Sequence, residues 1–280
     1  TEVLETISSV NNRAPTWLGQ GVGNGGWAES LTEFVDTAKA SGQKRAVANL
    51  SFDLSEKHPD GSVTTRSQLT AEEQQALTYA RNNGVLIVAS AGNQGGAMSA
   101  LGQASQQFDN IIAVGAADGK DRASYSSYGN GLDLLAPGTQ QGDAFTGTSR
   151  SAAEVTGAIS QMWAANPTLD YRQVTRALES TATDLHKSGW DTQTGAGLLN
   201  TAAAVNLART ITPETQVFSG AQLIQQVNGS FDNSTWKSTN GAVASERLAW
   251  SLSDIGHAAL DVIGTIDPTP ISDGLNAVWY

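Results

Sequence analysis

Short apolar runs alternate with segments of helical periodicity along the first three quarters of the chain. The runs at Ala46–Leu50 and at residues 85–89 are continuous rather than alternating, which is typical of strands buried on both faces. Before the first run, residues 28–40 place Leu31, Phe34 and Val35 on one helical stripe. This alternation predicts βαβ units, and therefore an α/β fold with a largely parallel sheet.

Local signals refine the element boundaries. Thr70 and Glu73 have the spacing of a capping box and predict the start of a helix that ends at the Asn-Gly pair 83–84. Further strands are predicted at 111–114 and 132–136, and further helices from 149 to Pro167, near 170–180 and near 200–208.

The character of the chain changes after Thr210. Pro213 is followed by a stretch rich in Gln, Asn and Ser at 225–240, and the apolar end is interrupted by Pro268 and Pro270. The sequence therefore predicts a domain over residues 1–209, followed by a linker and partly helical extension over residues 210–280.

Composition narrows the function classes. The 280 residues carry a net charge of −11, which argues against nucleic acids and anionic membrane surfaces as partners. The absence of cysteine excludes disulfides, thiol catalysis and zinc–thiolate sites. The apolar runs are too short to span a membrane. The acidic composition, rich in Ser, Thr, Asn and Gly, suits a secreted bacterial protein, although the opening residues TEVLETISSV do not have the pattern of a signal segment.

The stretch FTGTSRSAAEVTG, residues 145–157, places Ser149 at the predicted start of a helix. A serine there can cap the helix by accepting an unpaired backbone N–H. The same position exposes its hydroxyl as a nucleophile and its own N–H as a donor to an oxyanion. The two interpretations are compatible, and the sequence leaves both open.

Four segments in a fixed order resemble the subtilisin-like serine peptidases, the subtilase family (peptidase S8). They are NLSFD at 49–53, VASAGNQGG at 88–96, the run from SYSSYG to APG within 110–138, and GTSRSAAEVTG from Gly147. TGAGLLN at 194–200 is similar to the family's closing motif, and the resemblance covers about residues 15–208. It implies a three-layer αβα fold and a hydrolase that cleaves peptide bonds of a polypeptide substrate.

The resemblance also implies roles for individual residues. Ser149 matches the nucleophile and Asn93 the side chain that donates to the oxyanion. The residues implied to bind substrate form two walls of a pocket: Ser51, Phe52 and Asp53 on one, and Ser90, Ala91 and Gly92 on the other. Asp53 stands where the family usually has a small residue, which suggests a preference for basic side chains before the cleaved bond. No catalytic metal or other cofactor is required, and a structural calcium ion near Asp109-Asn110 or Asp118 is an option.

Two motifs of the family are missing. The family's aspartate lies in an Asp-Thr/Ser-Gly motif and its general base in a His-Gly-Thr-His motif, and neither motif occurs in this chain. None of the histidines, His58, His186 and His257, lies in a Gly-Thr-His sequence. We therefore expect an N-terminally truncated peptidase domain that is inactive alone.

Three explanations stay open. The aspartate and histidine lie on an upstream segment or a second chain, the protein is a pseudopeptidase that binds peptides, or it is a processing module of a larger secreted effector. The last rests on a resemblance of ALDVIG and DGLNAVWY to bacterial polymorphic toxins.

Overall fold

A computed structural model describes residues 2–19, 26–139, 145–212 and 275–279. The described helices are α1 to α7, with a short 3₁₀ turn at Ala104–Gln106: Glu2–Val10, Trp27–Ala40, Ala71–Asn82, Ala100–Gln103, Thr148–Ala165, Tyr171–Thr181 and Thr201–Thr210. The described strands are β1 to β9: Thr16–Gly19, Ala46–Leu50, Ser55–Lys57, Val63–Thr65, Leu86–Ser90, Ile111–Asp118, Asp121–Arg122, Leu134–Pro137 and Leu275–Trp279.

Seven of the described strands form the main sheet in the order β1-β9-β2-β5-β6-β7, with β8 also paired to β6. Every pair is parallel except β6 with β7. The strands β3 and β4 form a separate antiparallel hairpin. The predicted α/β class with a largely parallel sheet is confirmed.

Helices cover both faces of this sheet. Because successive residues of a strand point to opposite faces, Ala48 and Leu50 of β2 pack with Leu31 of α2, whereas Val47 packs with Ile159 of α5. The helices α2 and α3 contribute to the first core, and α5, α6 and α7 to the second. The result is a three-layer αβα arrangement whose middle strands are buried on both sides, as their unbroken apolar runs predict.

Most predicted elements begin and end within one or two residues of the observed ones. The capping box of Thr70 and Glu73 is present, with the Glu73 N–H donating to Thr70 Oγ1. A second capping box joins Asp170 and Gln173 at the start of α6. The strand predicted at 132–136 begins two residues later and includes Pro137, because parallel pairing with β6 extends to this residue.

One strand is described within the predicted extension. Within residues 210–280, the described segment after Thr212 is the strand β9, which lies between β1 and β2 and is parallel to both. The strand β9 accordingly belongs to the same compact unit as the other described strands. Hydrogen bonding on both sides explains why this apolar segment is extended here rather than helical. The remainder of the extension, with His257, lies outside the described residues, so the boundary near 210 stays a prediction.

Candidate functional site

Ser149 lies in the first turn of α5, a helix of 18 residues whose face toward the sheet is buried. The residue that caps this helix is Gly147, which has a φ of 141° that favours glycine. The capping interpretation of Ser149 is therefore wrong, because Ser149 lies two residues beyond the cap. Its hydroxyl instead donates a hydrogen bond to the carbonyl of Ser51 at 3.1 Å.

The carboxyl ends of two neighbouring strands bring the other site residues to Ser149. β2 and β5 are parallel partners, so the residues that follow them, Ser51 and Gly92, emerge at the same edge of the sheet. The Ser51 hydroxyl donates to the Ser149 carbonyl at 3.2 Å, and the Gly92 N–H donates to Thr148 Oγ1 at 3.3 Å. Each strand end is thus tied to the first turn of α5.

Asn93 holds the start of α5 from outside the helix. Its Oδ1 accepts hydrogen bonds from the Thr148 N–H at 2.9 Å and from Thr148 Oγ1 at 3.1 Å. Since the cap residue is a glycine, this contact supplies the side-chain oxygen that a helix start needs. The Asn93 side chain is exposed and its oxygen is occupied, so its amide nitrogen is the group that can donate to a ligand beside Ser149.

The start of α5 is also suited to a negative charge. Among the described residues, none accepts a hydrogen bond from the Ser149 backbone N–H, and the positive end of the helix dipole lies here. Arg150 and Glu154, which are four residues apart on this helix, form an ion pair at 3.4 Å. Burial raises the pKa of Glu154, although the Arg150 guanidinium opposes that shift.

A buried polar network fixes Ser51 relative to α5. Asn49, the last but one residue of β2, is fully buried and donates to Ser51 Oγ at 2.7 Å. The Thr156 hydroxyl of α5 donates to Asn49 Oδ1 at 3.0 Å. The sequence analysis placed Asn49 in the NLSFD motif without a role of its own, and it missed Thr148 and Thr156. Asn49 is a lone polar residue inside an apolar strand, and this pattern is the signal that could have identified its role.

The residues proposed to bind substrate divide into two groups. Ser51 and Gly92 contact the first turn of α5, and Asp53 follows Ser51 by two residues and accepts a hydrogen bond from Gln94 Nε2 at 3.0 Å. The side chains of Ser90 and Ala91 are buried, and Phe52 is half-buried with its ring 5.9 Å from that of Trp27. For these three residues, the part that can face a bound peptide is the main chain.

Neither described histidine contacts Ser149. His58 lies in the hairpin of β3 and β4, where its Nε2 is 2.7 Å from Thr64 Oγ1. His186 pairs with Asp121, with 3.0 Å between Nε2 and Oδ1, at a cleft of about 660 Å³ that Trp190 also lines. The described residues therefore contain a serine without a base and, elsewhere, a histidine–carboxylate pair without a serine.

Two of the proposed calcium ligands, Asp109 and Asn110, already make hydrogen bonds within the protein. Asp109 accepts hydrogen bonds from Arg81 at 2.5 Å and Arg172 at 2.9 Å, and the bonds from these arginines outweigh burial and lower its pKa. Asn110 is buried and donates its amide to the Val85 carbonyl. No cluster of three or more His, Cys, Asp or Glu side chains occurs within the described residues.

In the described part of the chain, every helix is too short or too polar to cross a bilayer.

Comparisons with known proteins agree with this geometry. The family model of the subtilase family matches residues 16–197. Subtilisin Savinase of Lederbergia lenta is 34% identical over 225 residues, which cover 73% of this chain and 76% of that protein. Subtilisin DY of Bacillus licheniformis is 39% identical over 142 residues, or 47% of this chain and 50% of the relative. Alkaline elastase YaB of Bacillus sp. (strain YaB) is 38% identical over 144 residues, or 48% of this chain.

Solved structures show the same fold. Sphericase superposes with a TM-score of 0.50 at 26% identity, covering 61% of this chain and 62% of its own. A lanthipeptide protease superposes with a TM-score of 0.54 at 19% identity, covering 74% of each chain. The chain spans only 50% of subtilisin DY and 36% of alkaline elastase YaB. From the match over residues 16–197 and the relationship to Savinase, the chain belongs to the subtilase family.

Proposed function

We propose that this chain is a serine endopeptidase domain in which Ser149 attacks the carbonyl carbon of a peptide bond. One observation carries the proposal. The Ser149 hydroxyl lies at the N-terminus of a buried helix, at the carboxyl edge of a parallel sheet, beside an asparagine whose amide is free to donate. Family membership supports the same reaction class.

The attack converts the carbonyl oxygen into an oxyanion. The Asn93 amide and the Ser149 backbone N–H are the two donors proposed to stabilise it, and the dipole of α5 adds to their effect. The polypeptide substrate would lie extended along the ends of β2 and β5 and pair with their main chain. No cofactor takes part in this mechanism, and a calcium ion would serve structure alone.

The proton of Ser149 needs an acceptor that the described residues do not provide. We propose that a histidine and its orienting aspartate come from an upstream segment or a second chain. In subtilisin, loss of the histidine alone costs about 10⁶-fold in kcat. The chain by itself is therefore expected to hydrolyse peptides too slowly for practical detection. An extracellular site of action is proposed from the acidic, cysteine-free composition.

A second function, peptide binding without turnover, is favoured by a separate observation. The Ser149 hydroxyl donates to the Ser51 carbonyl, so in this arrangement its proton is held by an acceptor that cannot remove it. Such a chain would serve as a pseudopeptidase, or as a processing module of a larger secreted effector.

Labelling with a fluorophosphonate probe tests the proposed chemistry. The chain is compared alone and together with the polypeptide encoded upstream of it, with Ser149→Ala as the negative control. We expect labelling of Ser149 only in the combined sample. Equal absence of labelling in both samples would favour the peptide-binding function.

Asn93→Asp is the matched variant for the oxyanion donor. Aspartate keeps the oxygen that caps α5 but removes the amide N–H, so the fold should be retained. Loss of one such donor costs about 10²–10³-fold in rate. A labelling rate unchanged by Asn93→Asp would refute the assigned role of Asn93.

A further inference from the structure

A cleft on the described surface contains none of the residues of the candidate site. Its volume is about 660 Å³, and small-molecule sites in proteins typically measure about 300–1,000 Å³. Asp121 and Arg122 of β7 line this cleft together with residues 186–187 and 190–193, which belong to the connection between α6 and α7. We call it the Trp190 cleft. The proposed peptidase chemistry uses none of its side chains.

Trp190 supplies an apolar surface in this cleft. Three large apolar residues of the described chain are exposed, and Trp190, at 51%, is one of them. The polar atom of its ring, Nε1, donates a hydrogen bond to the Leu132 carbonyl at 2.8 Å, which fixes the ring in place. The rest of the indole therefore offers carbon surface to a ligand, and a ligand that covers it removes this surface from water.

The loop that carries Trp190 is held by its own carboxylates. Asp184 Oδ2 accepts a hydrogen bond from the Gly189 N–H at 2.8 Å. Asp191 accepts two from Thr194, through Oδ1 from its N–H at 3.0 Å and through Oδ2 from its hydroxyl at 2.8 Å. A loop that is ordered before a ligand arrives loses little conformational entropy on binding.

His186 lies in the same loop with a φ of 60°, and among the described non-glycine residues it alone has a positive φ. Histidine adopts this conformation more readily than bulkier residues, but the conformation is still strained. The ion pair with Asp121 holds the His186 ring across the cleft, with 3.0 Å between Nε2 and Oδ1. Strained backbone concentrates where a protein binds ligands, so it is a second indication, independent of Trp190, that this loop forms a site.

The charged side chains around Trp190 balance one another. Asp121 and Asp191 contribute two carboxylates, and Arg122 and Lys187 contribute two cations. Burial tends to raise the pKa of Asp191, but the hydrogen bonds that it accepts within its loop lower that pKa, so the carboxylate stays ionised at neutral pH. No acid among the described residues forms an ion pair with Lys187. The cleft therefore presents both donors and acceptors, and these four charges sum to zero.

These features select the chemistry of the ligand. An anionic ligand would meet two carboxylates, and a cationic ligand would meet two cations. A purely apolar ligand would bury polar groups of the cleft without giving them hydrogen bonds. A pyranose ring with equatorial substituents is neutral, and its flat faces carry C–H groups. The hydroxyls around its rim both donate and accept hydrogen bonds, so such a ring matches the indole with its face and the polar side chains with its rim.

We propose that the Trp190 cleft binds a neutral oligosaccharide of β-linked pyranose rings, one of which stacks on the Trp190 indole. The Asp121 carboxylate accepts hydrogen bonds from its hydroxyls, and the Lys187 ammonium donates to them. This activity goes beyond the proposed peptidase function, because it uses other residues and another part of the surface. Binding at this cleft holds the chain on a polysaccharide whether or not Ser149 is engaged.

Isothermal titration calorimetry with the intact chain tests the proposal. Cellotetraose and chitotetraose are the neutral β-1,4-linked ligands. The tetramer of β-1,4-linked glucuronic acid is the matched anion, since it keeps the same backbone and carries a carboxylate on each ring. The variants are Trp190→Ala, Trp190→Phe and Asp121→Ala. Val63→Ala is the control, because it shortens an exposed apolar side chain on the separate hairpin of β3 and β4.

We expect at least one neutral tetrasaccharide to bind at least tenfold more tightly than the glucuronic acid tetramer. Trp190→Ala should weaken this binding at least tenfold because the stacking surface is lost, and Trp190→Phe, which keeps an aromatic ring, should weaken it less. Val63→Ala should change Kd by less than twofold. Asp121→Ala removes an acceptor from a highly exposed residue and should weaken binding about threefold, which gives a second variant should Trp190→Ala fold poorly.

Three results would overturn the proposal. If neither neutral tetrasaccharide binds, the cleft is not an oligosaccharide site. If the glucuronic acid tetramer binds as tightly or more tightly, the argument from balanced charge is wrong. If binding survives both Trp190→Ala and Asp121→Ala unchanged, the ligand lies elsewhere on the chain. Fluorophosphonate labelling of Ser149 tests the peptidase function separately, so the two proposals stand or fall independently.

Discussion

The buried contact between Asn49 and Thr156 offers a direct test of how the fold positions Ser149. Asn49→Ala removes two hydrogen bonds, one to Ser51 Oγ and one from the Thr156 hydroxyl. Each is worth about 1 kcal/mol, and the cavity left by the carboxamide adds about 1 kcal/mol more. The free energy of unfolding should therefore fall by about 3 kcal/mol.

Thr156→Val is the matched change on α5. It removes the hydroxyl, whose single proton is shared between Asn49 Oδ1 and the Ala152 carbonyl of the same helix, and keeps the shape of the side chain. A loss of about 1 kcal/mol is expected. Because both variants abolish the same Asn49–Thr156 bond, the double variant should lose about 3 kcal/mol rather than the sum of about 4.

Urea denaturation of the four proteins measures these differences, with fluorophosphonate labelling of Ser149 as a second readout. Asn49→Ala should also slow labelling, since Ser51 would no longer be held against the Ser149 carbonyl. Strict additivity of the two variants would refute the argument, because it would mean that Asn49 and Thr156 do not interact across the β2–α5 interface.

Three further predictions follow from separate features. Burial raises the pKa of Asp133 to about 8. An acid whose pKa is higher in the folded than in the unfolded chain makes stability fall as pH rises from about 4 to about 8. Tm should therefore fall between pH 5 and 8, and it should fall less for Asp133→Asn; equal falls in the two proteins would count against this. Gly147→Ala forces a side chain onto a φ of 141° and places its Cβ 3.3 Å from the Asn93 amide. We expect the free energy of unfolding in urea to fall by about 1–3 kcal/mol and the labelling of Ser149 to be slower. Gly96→Ala, which has open space around it, should be nearly neutral, and similar losses in both variants would contradict the strain argument. Removal of residues 271–280 deletes β9, which joins β1 to the rest of the described sheet. Amide hydrogen exchange in β1 and β2 should therefore accelerate. Unchanged exchange would show that β9 does not pair with β1 and β2.

The sequence by itself determined the features that depend on neighbouring residues. The unbroken apolar runs of β2 and β5 predicted buried parallel strands, and the spacing of Thr70 and Glu73 predicted the start of α3, because caps and strand burial are recorded in local pattern. The order of the short motifs likewise pointed to the subtilase family and to Ser149 and Asn93.

Only the tertiary structure decided features that join distant segments. It placed Asn93 as the oxygen that caps α5, 55 residues away, and assigned the cap position to Gly147 instead of Ser149. It inserted β9 between β1 and β2, where the pattern had suggested a partly helical extension. It also brought Asp53 and Ser127 to one face of Gly92, a contact that no local pattern records. The reason is physical: hydrogen bonds and burial across a sheet depend on which strands become neighbours, and that choice is made by the packing of the whole domain.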